Sequence, residues 1–378
     1  MTSRPRLGFP VAVAVFALTT FAAAPPPRIV AVGDVHGAGD AFVSILQRTG
    51  LIDAGRKWTG GNAILVQTGD LLDRGPDVRA ILDLLMALEP QASAAGGRVQ
   101  SLVGNHEIMN LIGETRDVAP EVFQKFSDAQ SESRREQGFQ SASKLSGDKP
   151  LDKGEWLAGH PAGYLEYREA FSPSGAYGKW LRSKPMLAEI GGTVFLHGGI
   201  NPEFTSDSLD NINKRVRREL NEFDEGFRWL QEHNLALPFY TLKEIVQAAH
   251  DELARLEVKR KRESLTEDDV TEARTLLPIL NIDSSALLNE NGPLWFRGYS
   301  TWNDTEGGER MPALLKKYKV KRFVTAHTPQ PAGQITSRFG NTLYLIDTGM
   351  LDGKFYPNGR PSALEITGDE VKQIYVER

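Results

Sequence analysis

Gly104-Asn105-His106-Glu107 closes an apolar run, Val99, Leu102 and Val103, and two more units of the same design lie upstream of it. Arg28-Ile29-Val30-Ala31-Val32 runs into Gly33-Asp34-Val35-His36-Gly37, and Ala63-Ile64-Leu65-Val66 runs into Gly69-Asp70-Leu71-Leu72-Asp73-Arg74-Gly75. Each unit puts Asp, Asn or His just past the carboxyl end of a short strand-forming run, with Gly where backbones must approach closely. In an open α/β sheet that edge is where ligands bind. Three such loops on one rim make a metal site, with His106 aimed beside it.

Outward from these loops the chain alternates strands and helices in the manner of a layered α/β fold. Residues 40–48 carry helical spacing through Phe42, Ile45 and Leu46. Pro76 suits a helix first turn, and Val78, Ile81, Leu82, Leu85 and Leu88 form one apolar stripe that should end before Pro90. Residues 114–184 read as a helical insertion near the rim, with a helix start at Pro120. The sheet resumes over residues 186–190, turns at Gly191-Gly192, and runs through residues 193–196 directly into His197-Gly198-Gly199. Residues 207–281 read as a second helical insertion. A last strand at residues 322–325 ends in Ala326-His327-Thr328-Pro329, and short runs at 343–346, 363–366 and 371–375 suggest an antiparallel closing sheet. There is no internal repeat and no sign of a second core, so residues 28–378 read as a single catalytic domain.

Composition narrows the partners. The chain has 378 residues, 40% hydrophobic and 25% charged, with a formal net charge of -5. That balance gives no support for a nucleic-acid partner. The basic run Lys259-Arg260-Lys261-Arg262 sits among Glu257, Glu263, Glu267, Asp268 and Asp269, so it reads as a solvated helix face. The absence of cysteine removes disulfides, thiolate ligands and Cys nucleophiles, and it suits an oxidising compartment. Arg4 and Arg6, the apolar residues 11–21 and Ala22-Ala23-Ala24 together have the layout of a signal peptide over residues 1–24. The apolar run is too short to span a bilayer comfortably, so no stable membrane anchor is expected. The expectation is an exported protein, periplasmic or secreted after cleavage near Ala24.

The chemistry follows from the donor set. Oxygen ligands Asp34, Asp70 and Asn105 mixed with imidazoles His36, His197 and His327 suit Mn, Fe or Zn. Six such groups exceed what one tetrahedral ion needs, and a shared carboxylate bridges two ions ~3.5–4 Å apart. A hydroxide bridging two ions is a strong nucleophile toward phosphorus, and no side-chain nucleophile is then required. Taken singly, an Asp-x-His after a strand is a turn, Asp73-Arg74 a surface ion pair, and His197 or His327 a structural histidine. Five motifs in this order carry the site reading together. Glu107 is read as structural, and His160, His233 and His250 are given no role.

These motifs resemble a known family. Gly33-Asp34-Val35-His36-Gly37, Gly69-Asp70-Leu71-Leu72-Asp73-Arg74-Gly75 and Gly104-Asn105-His106-Glu107 match the three signatures of the phosphoprotein phosphatases, within the calcineurin-like metallophosphoesterases. His197-Gly198-Gly199 and Ala326-His327-Thr328 look like the later ligand segments. Gly292-Pro293-Leu294-Trp295-Phe296-Arg297-Gly298-Tyr299, His327-Thr328-Pro329-Gln330 and Ile346-Asp347-Thr348-Gly349-Met350 resemble the Shewanella-like, bacterial-type branch. The resemblance implies an α/β fold in four layers, α/β/β/α: a β-sandwich flanked by helices and carrying helical insertions.

It also implies roles. Asp34, His36 and Asp70 would hold one metal, and Asp70, Asn105, His197 and His327 a second. His106 would be the general acid, oriented by Asp73, with Arg74 and Arg297 as phosphate clamps. The implied activity is a dinuclear metal-dependent phosphomonoesterase of the serine/threonine or tyrosine protein-phosphatase type, acting on a phosphorylated protein, peptide or small phosphomonoester. A dinucleoside tetraphosphate hydrolase is the alternative. Pro329, standing where many phosphodiesterases carry a further His, and Asp73 before Arg74 both favour the phosphatase. The hypothesis from another class is an inactive metal-binding module, against which the intact His106, Asp73 and six ligand positions speak. A final expectation concerns the first insertion, where Tyr164, Tyr167, Phe171, Tyr177 or Trp180 could line a slot and pack on a substrate ring.

Overall fold

The structure is a computed structural model that describes residues 26–147, 150–205, 207–351, 353 and 355–376. The expected signal peptide lies outside the described residues. In chain order the elements are β1 (Ile29–Val32), α1 (Gly39–Arg48), β2 (Ile64–Gln67), α2 (Val78–Ala94), β3 (Arg98–Ser101) and α3 (Asn105–Ile112). The first insertion supplies α4 (Pro120–Phe126), α5 (Ser131–Leu145), α6 (Lys153–Gly159), α7 (Tyr164–Ala170) and α8 (Ala176–Arg182). After β4 (Leu187–Ile190) and β5 (Thr193–Leu196), the second insertion supplies α9 (Leu209–Glu232), α10 (Leu242–Arg260) and α11 (Glu267–Leu280). The chain ends with α12 (Gly298–Thr301), α13 (Asp304–Tyr318), β6 (Arg322–Thr325), β7 (Thr336–Arg338), β8 (Leu343–Leu345), β9 (Ser362–Thr367) and β10 (Glu370–Tyr375).

Two five-stranded sheets result, in the orders β10-β9-β1-β2-β3 and β4-β5-β6-β8-β7. In the first, β1, β2 and β3 are parallel, with β9 and β10 added antiparallel at one edge. In the second, β5, β6 and β8 are parallel, flanked by antiparallel β4 and β7. Side chains alternate along each strand, and the alternation divides the interior. Ile29, Ala31, Val66, Phe195, Val324, Tyr344 and Leu364 meet in one buried cluster drawn from both sheets. Their neighbours Val30, Val32, Leu65, Val194, Leu196, Phe323 and Leu343 face the opposite way, into a cluster with the helices. Helices therefore cover the outer face of each sheet, giving the expected α/β/β/α layering.

Three expectations need correction. The late strands do not close one antiparallel sheet. β8 joins the second sheet parallel to β6, whereas β9 and β10 extend the first. Nor does the stripe starting at Val78 stop at Pro90, because α2 continues to Ala94. Pro90 is on the exposed face, so the carbonyl its ring leaves unpaired can turn to water. Pro76 precedes the helix instead of opening it, with Asp77 at the N-cap. Both insertions are helical as expected. In α10, Lys259 pairs with Asp269 (2.7 Å) and Arg260 with Glu257 (2.7 Å), so that basic run is offset locally.

Candidate metal centre

The site gathers at the carboxyl ends of six strands, three from each sheet. Asp34 follows β1, Asp70 follows β2, Asn105 follows β3, His197 follows β5, and His327 follows β6. Asp347, which follows β8, joins them. The loops are tight and strained: His36 (φ 46), Asp70 (φ 57), Asp73 (φ 69), Arg74 (φ 65) and His327 (φ 66) all occupy the left-handed region. Such conformations cost ~1–3 kcal/mol each and persist only where surroundings enforce them. Glu107 supplies much of that enforcement. Fully buried, its carboxylate accepts from the N–H groups of Asp70 (2.7 Å), Leu71 (2.8 Å), Leu72 (3.3 Å) and Gly104 (2.7 Å). Gly69 must be glycine, because a Cβ there would lie 2.4 Å from the Gly104 nitrogen.

Hydrogen bonds at the back of each imidazole set its tautomer. His36 donates from Nδ1 to the Leu72 carbonyl (2.8 Å), and His197 donates from Nδ1 to the Thr68 carbonyl (3.1 Å). His327 donates from Nε2 to the Trp295 carbonyl (3.1 Å), leaving Nδ1 inward. Burial pulls the pKa of His36 down to about 3 and that of His327 well below the ordinary value, so both rings are neutral. Acceptors therefore confront acceptors. His197 Nε2 lies 2.8 Å from Asn105 Oδ1, 3.0 Å from His327 Nδ1 and 3.2 Å from Asp70 Oδ2. On the other side, His36 Nε2 lies 3.5 Å from Asp70 Oδ2 and 3.7 Å from Asp34 Oδ2.

Apart from His36 Nε2, which Arg74 reaches, lone pairs so placed crowd one another, and cations satisfy them. Two triads, His36-Asp70-His106 and Asp70-His197-His327, keep their ligand atoms within 4.8 Å of one another and share Asp70. Asp347 Oδ2 is buried without a hydrogen-bond donor. Burial, then the carboxylates of Asp347 and Asp70, hold Asp34 well above the ordinary carboxylate range. The residues present fit bound metal.

Beside the acceptors stands His106. Its Nδ1 donates to Asp73 Oδ2 (2.6 Å), and Asp73 Oδ1 accepts from the Asn110 side chain (2.9 Å). The Tyr167 hydroxyl donates to Asn110 Oδ1 (2.7 Å). Burial opposes protonation of His106, yet Asp70 and Asp73 raise its pKa above the ordinary value. Arg74 donates to Nε2 of His36 (2.6 Å) and of His106 (3.1 Å), and also bonds the Tyr356 hydroxyl. Arg297 donates to the His327 carbonyl (2.7 Å) and Thr328 Oγ1 (3.1 Å), which puts it at the rim near His327.

The aromatic slot is not formed. Tyr164, Tyr167, Phe171, Tyr177 and Trp180 are all buried, and Phe123 and Phe126 pack among the tyrosines and Phe171. Their polar atoms bond other protein groups, including Tyr177 to Asp83 (2.7 Å) and Trp180 to Glu89 (3.1 Å). Sequence reading also left Asp347, Asn110 and Tyr356 without roles. Asn110 was within reach, four residues after His106 and so on the same helix face. Asp347 repeats the strand-then-Asp pattern, in the already quoted Ile346-Asp347-Thr348-Gly349. Tyr356, in an irregular loop, left no signal.

The sequence matches the calcineurin-like phosphoesterase family across residues 27–331, and the chain belongs to that family. It is similar to Shewanella-like protein phosphatase 2 of Arabidopsis thaliana, 36% identical over 217 residues, which cover 53% of this chain and 54% of that protein. The match thus spans about half the length of the plant relative. Shewanella-like protein phosphatase 1 of Plasmodium berghei is 25% identical over 350 residues, 92% of this chain and 74% of that protein. In fold, the chain is similar to a cold-active protein-tyrosine phosphatase of a psychrophilic Shewanella. The TM-score is 0.55 at 24% identity, over 93% of this chain and 81% of that one.

Proposed function

We propose that the chain is a dinuclear metal-dependent phosphomonoesterase of the protein-phosphatase type. The observation that carries this reading is the sharing of Asp70 between His36 on one side and His197 with His327 on the other, with the His106–Asp73 pair beside them. Asp34, His36 and Asp70 would hold one ion, and Asp70, Asn105, His197 and His327 the other; the mixed nitrogen and oxygen donors suit Mn, Fe or Zn. Bound there, such ions make water a competent nucleophile near neutral pH and offset charge on phosphoryl oxygens.

The chain's own groups do the rest. The Arg74 fork, held over the floor of the site, matches two phosphate oxygens. When it turns to phosphate it frees His106 Nε2 to take up a proton from solvent, a step the Asp70 and Asp73 carboxylates favour. The imidazolium then gives that proton to the leaving oxygen as the ester P–O bond breaks and water supplies the new oxygen on phosphorus. Asp73 holds Nδ1–H and stabilises the imidazolium from which Nε2 donates. Protein substrates are favoured by the names of the relatives, protein phosphatases and a protein-tyrosine phosphatase. The test is Asp70→Asn with metal analysis, alongside wild-type turnover on phosphotyrosine, phosphoserine and dinucleoside tetraphosphate. Loss of metal and of rate together is expected. Two ions and near-normal turnover in Asp70→Asn would sink the dinuclear reading, and preference for the dinucleotide would shift the substrate class.

A further inference from the structure

Away from the metal centre, the two insertions enclose a cavity of about 920 Å³. That lies within the ~300–1,000 Å³ typical of small-molecule sites. Leu111, Leu165, Phe227 and Phe239 supply apolar wall, contributed by α3, α7, α9 and the segment before α10. Four cationic side chains also line it: Arg134, Arg168, Lys179 and Arg228.

Their partners distinguish them. Arg134 is bound to Asp128 and Glu166. Arg168 is different, because it is buried yet has no carboxylate within 4.0 Å among the described residues. Its Nη1 and Nη2 donate only to the neutral carbonyls of Asn110 (3.0 Å) and Tyr240 (3.2 Å), and its Nε has no acceptor. The nearby acid Glu244 is taken up by Thr241 and lies beyond ion-pair distance; a buried guanidinium so placed is costly, and a ligand anion in the cavity would offset that cost. Lys179 and Arg228 are exposed and form no ion pair among the described residues. Of the two acids in the wall, Asp224 is already held by both arms of Arg182 (2.7 and 2.8 Å), which leaves Glu169, exposed like Lys179 and Arg228, as the one acid facing three uncommitted cations. Uncommitted charge in the cavity is therefore predominantly positive, over an apolar floor.

We infer that this cavity binds an amphipathic organic anion, its carboxylate, sulfonate or phosphate head against Arg168 and its apolar body against Leu111, Leu165 and Phe227. The site is separate from the metal centre. Its wall nonetheless reaches the catalytic helix, since Arg168 holds the carbonyl of Asn110.

The probe is the fluorescent anion anilinonaphthalene sulfonate, with decanoate as competitor, on full-length protein whose fold is checked by circular dichroism. Saturable binding to wild type, displaced by decanoate, is expected. Arg168→Met removes the charge, and Gln137→Trp fills space from α5 while keeping Arg168. Each should weaken binding by about tenfold or more. Absence of binding to wild type, or wild-type affinity retained in both variants, would overturn the proposal. Loss in Gln137→Trp without loss in Arg168→Met would show a cavity with no anion selectivity, and that too defeats it.

Discussion

Around His106 two carboxylates and one guanidinium compete for a single imidazole. Asp73 fixes Nδ1 as a donor, and Arg74 caps Nε2 until a better acceptor arrives. If Nε2 delivers the proton, His106→Ala should lower turnover by ~10²–10⁴-fold while metal content stays unchanged. The loss should shrink for esters with acidic leaving groups, and an equal loss across leaving groups would count against proton delivery. Asn110 acts one step further out. Removing its amide leaves Asp73 Oδ1 buried without its donor, so Asn110→Ala should cost about 10–100-fold in kcat. Metal stoichiometry and KM should barely move. An unchanged kcat would mean that Asp73 needs no such support. Most of these residues were readable from sequence because their signals are local, each a polar group within a few positions of a strand end. Asp347 carries no decisive signal of its own in the sequence, because its meaning depends on Asp34, far away in the chain.

Among the elements, the insertions show where local reading stops. Helical spacing identified them, but spacing cannot say what a helix face covers. Aromatic residues in α7 and α8 were expected at a substrate entrance, and they are the core that fixes these helices to α2 and α4. Tyr167 and Phe171 rings sit 4.4 Å apart, with Phe126 packed against both. The ring of fully buried Phe171 has no route to substrate. Phe171→Ala should therefore cost about 3–5 kcal/mol of stability, read as a lowered denaturation midpoint. The ratio of phosphotyrosine to phosphoserine turnover should stay as in wild type. A changed ratio in a variant of unchanged stability would restore the slot. Pro90 carries a related lesson, since a proline on an exposed face can bend a helix and leave its unpaired carbonyl to water without ending it.

Across the whole molecule, two sheets aim the ends of their parallel strands at one point, so six loops far apart in sequence share the candidate metal centre. The first sheet was legible through β3 because each motif directly followed its strand. Pairing in the second was not, because β8 has three residues and nothing local distinguishes a parallel partner in β6 from an antiparallel one. The convergence has a consequence for metal binding. In the ion-free fold, burial and then the neighbouring Asp347 and Asp70 carboxylates raise the Asp34 pKa. A group raised on folding contributes stability below its unfolded pKa and loses it as pH climbs through the folded value. The ion-free fold thus pays for Asp34 as pH rises, and a bound cation removes that penalty by taking the ionised carboxylate. Metal uptake should release protons, and the gain in denaturation midpoint on adding Mn should grow from about pH 5 to about pH 8. His36 and His327 add no proton of their own to that release, since both rings are already neutral in the fold. Titration calorimetry in two buffers of different ionisation heat counts the protons. A release of zero, with a gain independent of pH, would mean that Asp34 does not ligate as a carboxylate.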